Sequence, residues 1–325
     1  MSDSASSVAW DQTDQDRADS IRTRIELFGS RLSLPITRKA LGALEGEHSS
    51  LQRGHGYDYL DLRIYQPDDE AQLIDWKASA RSGRPIVVNK QREVTSTAWL
   101  LLDTSSQMLG TAEGGQESLL DIAANALRMF ALLSLKRSDD ISLVMGDSRA
   151  ITRLPFSGGY AKFDRLLDQQ LAALEPAPRN LTSLLEYASR IQGKNSLIVI
   201  ASDDTAMSEE HADLIRVISQ NHPLVFIAAT PLNPFTPSLT GVQDAGTGKK
   251  MPAFLRTQEA EDAVSTRREF LATNFEHQLA RSGDTLLRAG SSDTMLTTFT
   301  HLISTRLRGA RPRTASLLPR LQEAM

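Results

Sequence analysis

The chain of 325 residues contains no cysteine. Disulfides, thiolate zinc sites and cysteine nucleophiles are thereby excluded, and a reducing compartment is compatible with the sequence. No apolar run reaches the roughly 18–20 residues that a membrane-spanning helix requires. The opening "MSDSASSVAWDQTDQDRADS" has neither the basic start nor the apolar stretch of a secretory signal. An excess of positive charge is missing as well. Lys and Arg number 36 against 40 Asp and Glu, a net charge of −4, which argues against a protein built mainly to bind nucleic acid. With 40% apolar and 23% charged residues, the expectation is a soluble, globular, cytoplasmic protein.

Several reactive motifs are lacking too. There is no G-x-S-x-G elbow around Ser105, and none of the six histidines follows a predicted core strand as a triad base would. A phosphoaspartyl enzyme of the haloacid dehalogenase type needs a second Asp two residues after the first, where this chain has Ser105. "GTGKK" at 246–250 has Gln243 where a phosphate loop needs Gly, and no Ser or Thr follows its lysine. It reads as a turn, and so does "GHG" at 54–56.

What is present is a regular alternation. Residues 1–20, with five Asp and one Arg, read as a disordered acidic tail, and "RLRGARPR" marks a basic tail over 308–325. Between them, short apolar runs alternate with helical patterns. Strands are expected at 97–103, 141–146, 150–156, 196–204, 223–229 and 285–289. Helices are expected at 117–137, 160–174, 182–192, 208–220, 258–281 and 293–307. The fold class is α/β: a doubly wound, mostly parallel sheet over 97–307, with one antiparallel edge strand supplied by the early hairpin. Residues 231–257, with four prolines, read as an insertion carrying a small β-hairpin around "DAGTGK". Residues 21–96 form a separate N-terminal subdomain, mainly β or irregular over 50–96.

In such sheets, ligands bind at the carboxyl ends of the strands. The strand at 97–103 delivers Asp103, Thr104, Ser105, Ser106 and Gln107 there, and the strand at 196–204 delivers Ser202, Asp203 and Asp204. Two carboxylates close together repel unless a cation lies between them, and hard oxygen donors suit Mg²⁺ or Mn²⁺. An equally available reading makes Asp103 and Asp203 caps of the following turns.

The run Asp103–Gln107 resembles the Asp-x-Ser-x-Ser motif of von Willebrand factor A domains, which hold a divalent ion at a metal-ion-dependent adhesion site. Upstream, "GHGYDYLDLRIYQPDDEAQLIDWKASAR" resembles the signature of the bacterial "domain of unknown function 58" family, on Gly54, Gly56, Leu62, Arg63, Tyr65, Pro67, Asp69, Ile74, Asp75, Trp76, Ser79, Ala80 and Arg81. The resemblance covers roughly 34–306. It implies a von Willebrand factor A-like fold and an ion site of Asp103, Ser105, Thr182 and Asp203. Gln107 stands where the motif has a second serine; it could offer its amide oxygen, but two extra atoms would weaken, alter or abolish metal binding.

The resemblance further implies a non-enzymatic adaptor that works with a MoxR-type AAA+ ATPase in protein maturation or complex assembly. Its client would present an acidic side chain to the ion. The alternatives are a metal-dependent hydrolase using the same carboxylates and a scaffold with an inactive ion site. Arg63, Asp69, Asp75, Trp76 and Arg81 either form a partner surface or, the reading favoured by their mixture of charge and aromatic, a structural network of buried charge pairs.

Overall fold

A computed structural model describes residues 4–33, 37, 41–42, 53–65, 74–91, 97–175, 177–192 and 196–309. The basic tail beyond 309 and Asp69 lie outside the described residues.

The centre of the fold is built from strands with apolar residues on both faces. β3 (Thr97–Asp103) and β6 (Leu197–Asp203) are buried along nearly their whole length, as central parallel strands covered by helices on both sides must be. The sheet also contains β4 (Asp140–Gly146), β5 (Ile151–Phe156), β7 (Leu224–Ala229) and β8 (Thr285–Ala289), in the order β5-β4-β3-β6-β7-β8. All neighbours are parallel except β4 and β5, which pair antiparallel at the edge. The strand order reverses between β4–β3 and β6, placing the topological switch point at the ends of β3 and β6.

Alternate residues of β3 serve the two layers. Leu100 and Leu102 pack with the central helix α3 (Leu119–Arg137), with α4 (Tyr160–Ala172) and with α8 (Ser292–Gly309). Trp99 and Leu101 pack toward α5 (Leu181–Ser189), α6 (Ala212–Asn221) and α7 (Gln258–Ser282). The α3 helix is apolar almost all round, which suits its enclosed position. A capping box starts it: Ser118 Oγ accepts the Asp121 N–H while Asp121 accepts from the Ser118 N–H.

The N-terminal residues differ from the expectation. Helix α1 (Ser4–Arg31) runs through most of the segment read as a disordered tail. Its second half is anchored by Ile21 and Ile25, one turn apart and both buried against α3, and that docking supplies the stability that local composition does not signal. Lys136 Nζ also donates to the Gly29 carbonyl (2.6 Å).

Residues 53–91 form an antiparallel pair, β1 (Arg53–Ile64) and β2 (Ile86–Gln91), with the short helix α2 (Trp76–Ser82) between them. The "GHG" read as a turn lies inside β1, where the pairing slips between Arg53 and Asp58; an irregularity of that kind accommodates glycines within a strand. The insertion does carry its hairpin. Gln243 and Lys250 pair antiparallel, and Asp244 N–H donates to the Lys249 carbonyl (2.9 Å).

Candidate functional site

At the switch point, Asp103 ends β3 and Asp203 ends β6, both only 2% exposed. The chain beyond Asp103 passes tightly over β4: Thr104 N–H donates to the Gly146 carbonyl (2.9 Å), and a Cβ at Gly146 would sit 2.5 Å from Ile151 Cδ1. Asp103 Oδ1 accepts the Ser105 N–H (3.0 Å), and its Oδ2 accepts from Ser202 Oγ (2.6 Å). Asp203 Oδ1 accepts from both the N–H and the hydroxyl of Thr205 (2.7 and 2.6 Å). The turn-capping reading of both aspartates therefore holds for one oxygen of each.

The remaining capacity of both carboxylates is taken by one side chain. Arg179 donates from Nε to Asp103 Oδ2 (2.8 Å) and from a terminal nitrogen to Asp203 Oδ2. Burial opposes the charge on this guanidinium. The neighbouring charges and hydrogen bonds of Asp203 and Asp103 outweigh it and hold the arginine's pKa above its ordinary value. The backbone fixes Arg179 from both sides. Ser106 N–H donates to the Ala177 carbonyl (2.7 Å), Ser148 N–H donates to the Pro178 carbonyl (2.9 Å), and Asn180 caps α5 through Ser183 N–H (3.1 Å).

Thr182 sits in the first turn of α5, where the sequence predicts a helix to begin, and its hydroxyl meets His211 Nε2 at 3.1 Å. The Ser208 N–H, which can only donate, points at His211 Nδ1 (3.1 Å). Nδ1 is therefore the acceptor, and Nε2–H donates to Thr182. Burial lowers the pKa of His211 and keeps it in this neutral form. Ser105 Oγ is fully buried and has no hydrogen-bond partner among the described residues. Gln107 Oε1 accepts from Ser106 Oγ (3.4 Å), and its amide nitrogen lies beside Gly246 of the insertion. Gln107 thus faces the hairpin and makes no hydrogen bond to either carboxylate.

One feature suits a divalent ion, the orphaned Ser105 hydroxyl. The rest of the donor set does not fit one as it stands. A guanidinium spans the two carboxylates, Thr182 is engaged by an imidazole, and Gln107 is turned away. Among the described residues no cluster of three or more His, Asp or Glu has the arrangement to hold a metal.

Above Arg179 and Asp203 opens a cleft of about 690 Å³, walled by the insertion through Leu232, Leu239 and Met251. Arg268 of α7 pins the start of that wall by donating to the Pro231 carbonyl (2.8 Å), and Thr236 donates to Glu261 (2.6 Å).

Of the residues assigned to a buried charge network, the described Asp75, Trp76 and Arg81 are arranged otherwise. Trp76 is 72% exposed, Arg81 is exposed, and Asp75 caps α2 by accepting from the N–H groups of Lys77 (2.9 Å) and Ala78 (3.0 Å). At Asp75, Trp76 and Arg81, capping and exposure stand in place of the expected buried pairs. Arg63 lies on β1, and its side chain is outside the described residues.

Sequence reasoning did not single out Arg179 or His211, and it placed Ser202 at the strand end without giving it a role. Arg179 stands three residues before Thr182 in the same loop, and that proximity is the only local signal it gives.

A family model described as "Protein of unknown function DUF58" matches residues 61–283. The chain is 24% identical over 290 residues to "Uncharacterized protein Rv1480" of Mycobacterium tuberculosis (strain ATCC 25618 / H37Rv) and, equally, to "Uncharacterized protein Mb1516" of Mycobacterium bovis (strain ATCC BAA-935 / AF2122/97). In each case 86% of this chain and 89% of the relative are covered. Among solved structures it is similar to an aerotolerance-related membrane protein from Bacteroides fragilis NCTC 9343 (TM-score 0.40, 13% identity, 65% of this chain and 99% of that one). It is also similar to the SpRpn10 VWA domain (TM-score 0.35, 11% identity, 64% of this chain and 95% of that one).

Proposed function

The chain belongs to the DUF58 family, and from that premise we propose that it is a non-enzymatic, cytoplasmic protein-interaction adaptor whose recognition surface is the strand-end face. The observation that carries this reading is the combination of a built, well-ordered edge with no reactive group in it. The two buried carboxylates each accept three hydrogen bonds, and a roomy cleft lined partly by apolar residues opens at Asp203 and Arg179. A surface of that kind holds a peptide segment by shape and apolar contact. The partner machine we assign is a MoxR-type AAA+ ATPase, with this chain presenting clients for maturation or assembly.

The hydrolase alternative lacks support in the geometry. A base near Thr182 would need an unprotonated ring nitrogen facing its hydroxyl, and His211 presents an N–H there. The carboxylates are committed to Arg179, Ser202, Ser105 and Thr205, and Asp203, the one that lines the cleft, is held by Arg179 and Thr205 and is not a free base. No helix among the described residues is long and apolar enough to cross a membrane.

The test is co-purification of the full chain with the MoxR-type ATPase encoded nearest to its gene, for wild type and for Leu239→Arg and Met251→Arg, which fill the cleft with charge. Stable complex with wild type and loss with both variants, at unchanged melting temperature, is the expected result. A complex that survives both substitutions moves the interaction face elsewhere.

A further inference from the structure

Two aspartates, each about 98% removed from solvent, converge at the ends of adjacent strands. Such a pair stays doubly ionised only with a cation between them; without one, burial and mutual repulsion drive a proton onto one of the two. In the Asp-x-Ser layout the expected cation is a divalent ion. Here the position between the carboxylates is filled by Arg179, whose flat, forked guanidinium is suited to bridging two carboxylates at once. The backbone clamps on Ala177 and Pro178 and the Asn180 cap hold that arginine in place, so the bridge does not rest on a freely swinging surface side chain.

We propose that Arg179 is the resident cation of this site, a tethered replacement for the metal ion, and that the strand-end face assembles and binds its partner without a divalent ion. The proposal rests on the interaction reading given above. It also changes the partner chemistry. Two carboxylates against one guanidinium leave a net negative charge, and no open coordination position exists for a client's Asp or Glu. The cleft itself is lined by Arg179, Lys249 and Arg268 against Asp203 and Asp244, so it selects a client by shape and apolar contact and not by a carboxylate bridged through a metal.

The full-length protein tests this by thermal unfolding and by Mn²⁺ titration followed by electron paramagnetic resonance. Wild type should show the same melting temperature in Mg²⁺, in Mn²⁺ and in chelator, and no saturable Mn²⁺ site. Arg179→Ala exposes two like charges to each other and should melt roughly 10 °C lower in chelator. Mg²⁺ or Mn²⁺ should recover much of that loss, with one Mn²⁺ now bound. Arg179→Lys should remain indifferent to metal, since it keeps a positive charge in place. A saturable Mn²⁺ site in the wild type that raises its melting temperature overturns the proposal. An Arg179→Ala protein that is as stable as wild type in chelator also overturns it. Should Arg179→Ala fail to fold, the wild-type Mn²⁺ titration and Arg179→Lys decide the matter alone. Co-purification with the ATPase in chelator separates the two layers. Capture that disappears with chelator defeats the resident-cation proposal while leaving the interaction reading intact. Absence of capture in every buffer defeats the interaction reading, and the Mn²⁺ result still stands on its own.

Discussion

Two arginine-centred triads lie side by side at the end of β6, built on adjacent residues. Asp203 belongs to the first, with Arg179 and Asp103; Asp204 belongs to the second, with Arg288 and Glu269. In the first, both carboxylate side chains are almost fully buried and the guanidinium is 17% exposed. In the second, Asp204 is buried but Glu269 is 69% exposed. The same chemistry therefore sits in two dielectrics. Satisfaction differs as well: Asp204 Oδ1 is buried without a hydrogen-bond partner, and burial raises its pKa despite Arg288, whereas both oxygens of Asp103 accept hydrogen bonds. The inner triad is a structural keystone of the face; the outer one is a looser brace between β8 and α7.

This contrast is open to disruption at each member. The largest effect belongs to Arg179→Ala, which leaves two buried carboxylates uncompensated and should cost about 3–5 kcal/mol in urea unfolding measured in chelator. Arg288→Ala strands only one buried carboxylate, whose raised pKa lets it take up a proton instead. We expect a loss of about 1–2 kcal/mol by the same measurement. If the two losses are equal, burial does not separate the triads.

A pH series sharpens the comparison. Because the folded-state pKa of Asp204 is raised, the folded chain binds its proton before the unfolded chain does as the solution is acidified. The stability this group contributes is fully present below its unfolded pKa and is lost as pH rises through the raised folded value. Asp204→Asn, which cannot titrate, should therefore compare best with wild type near neutral pH. Wild type should gain on it as pH falls, read as the difference in unfolding free energy across a series of buffers. The smallest effect is that of Glu269→Gln, an exposed partner, at below about 1 kcal/mol and shrinking further in high salt.

Most of the core is legible in the sequence. The continuous apolar runs of β3, β6 and β7, separated by long helical patterns, specify a covered parallel sheet. The four residues 147–150 between β4 and β5 leave room only for a hairpin. Strand alternation then places Asp103 and Asp203 at one edge. Arg179 is not legible in the same way. It meets its partners across 76 and 24 residues of chain, and no local spacing marks an arginine that will reach back over a strand end. A helix starting near Thr182 is legible, but the threonine's hydroxyl is committed to His211, a residue with no periodic or motif signal of its own. Trp76 misleads in the opposite sense. An aromatic amid charges reads as an anchor, yet Trp76 stands 72% exposed on α2.

The central claim is that the strand-end face is closed by its own arginine. A crystal of the wild-type protein soaked in Mn²⁺ and measured for anomalous scattering addresses it most directly. The account predicts guanidinium density bridging Asp103 and Asp203 with no anomalous peak between them. A peak at that position, within coordination distance of Asp103 and Ser105 and with Arg179 swung clear, would contradict it.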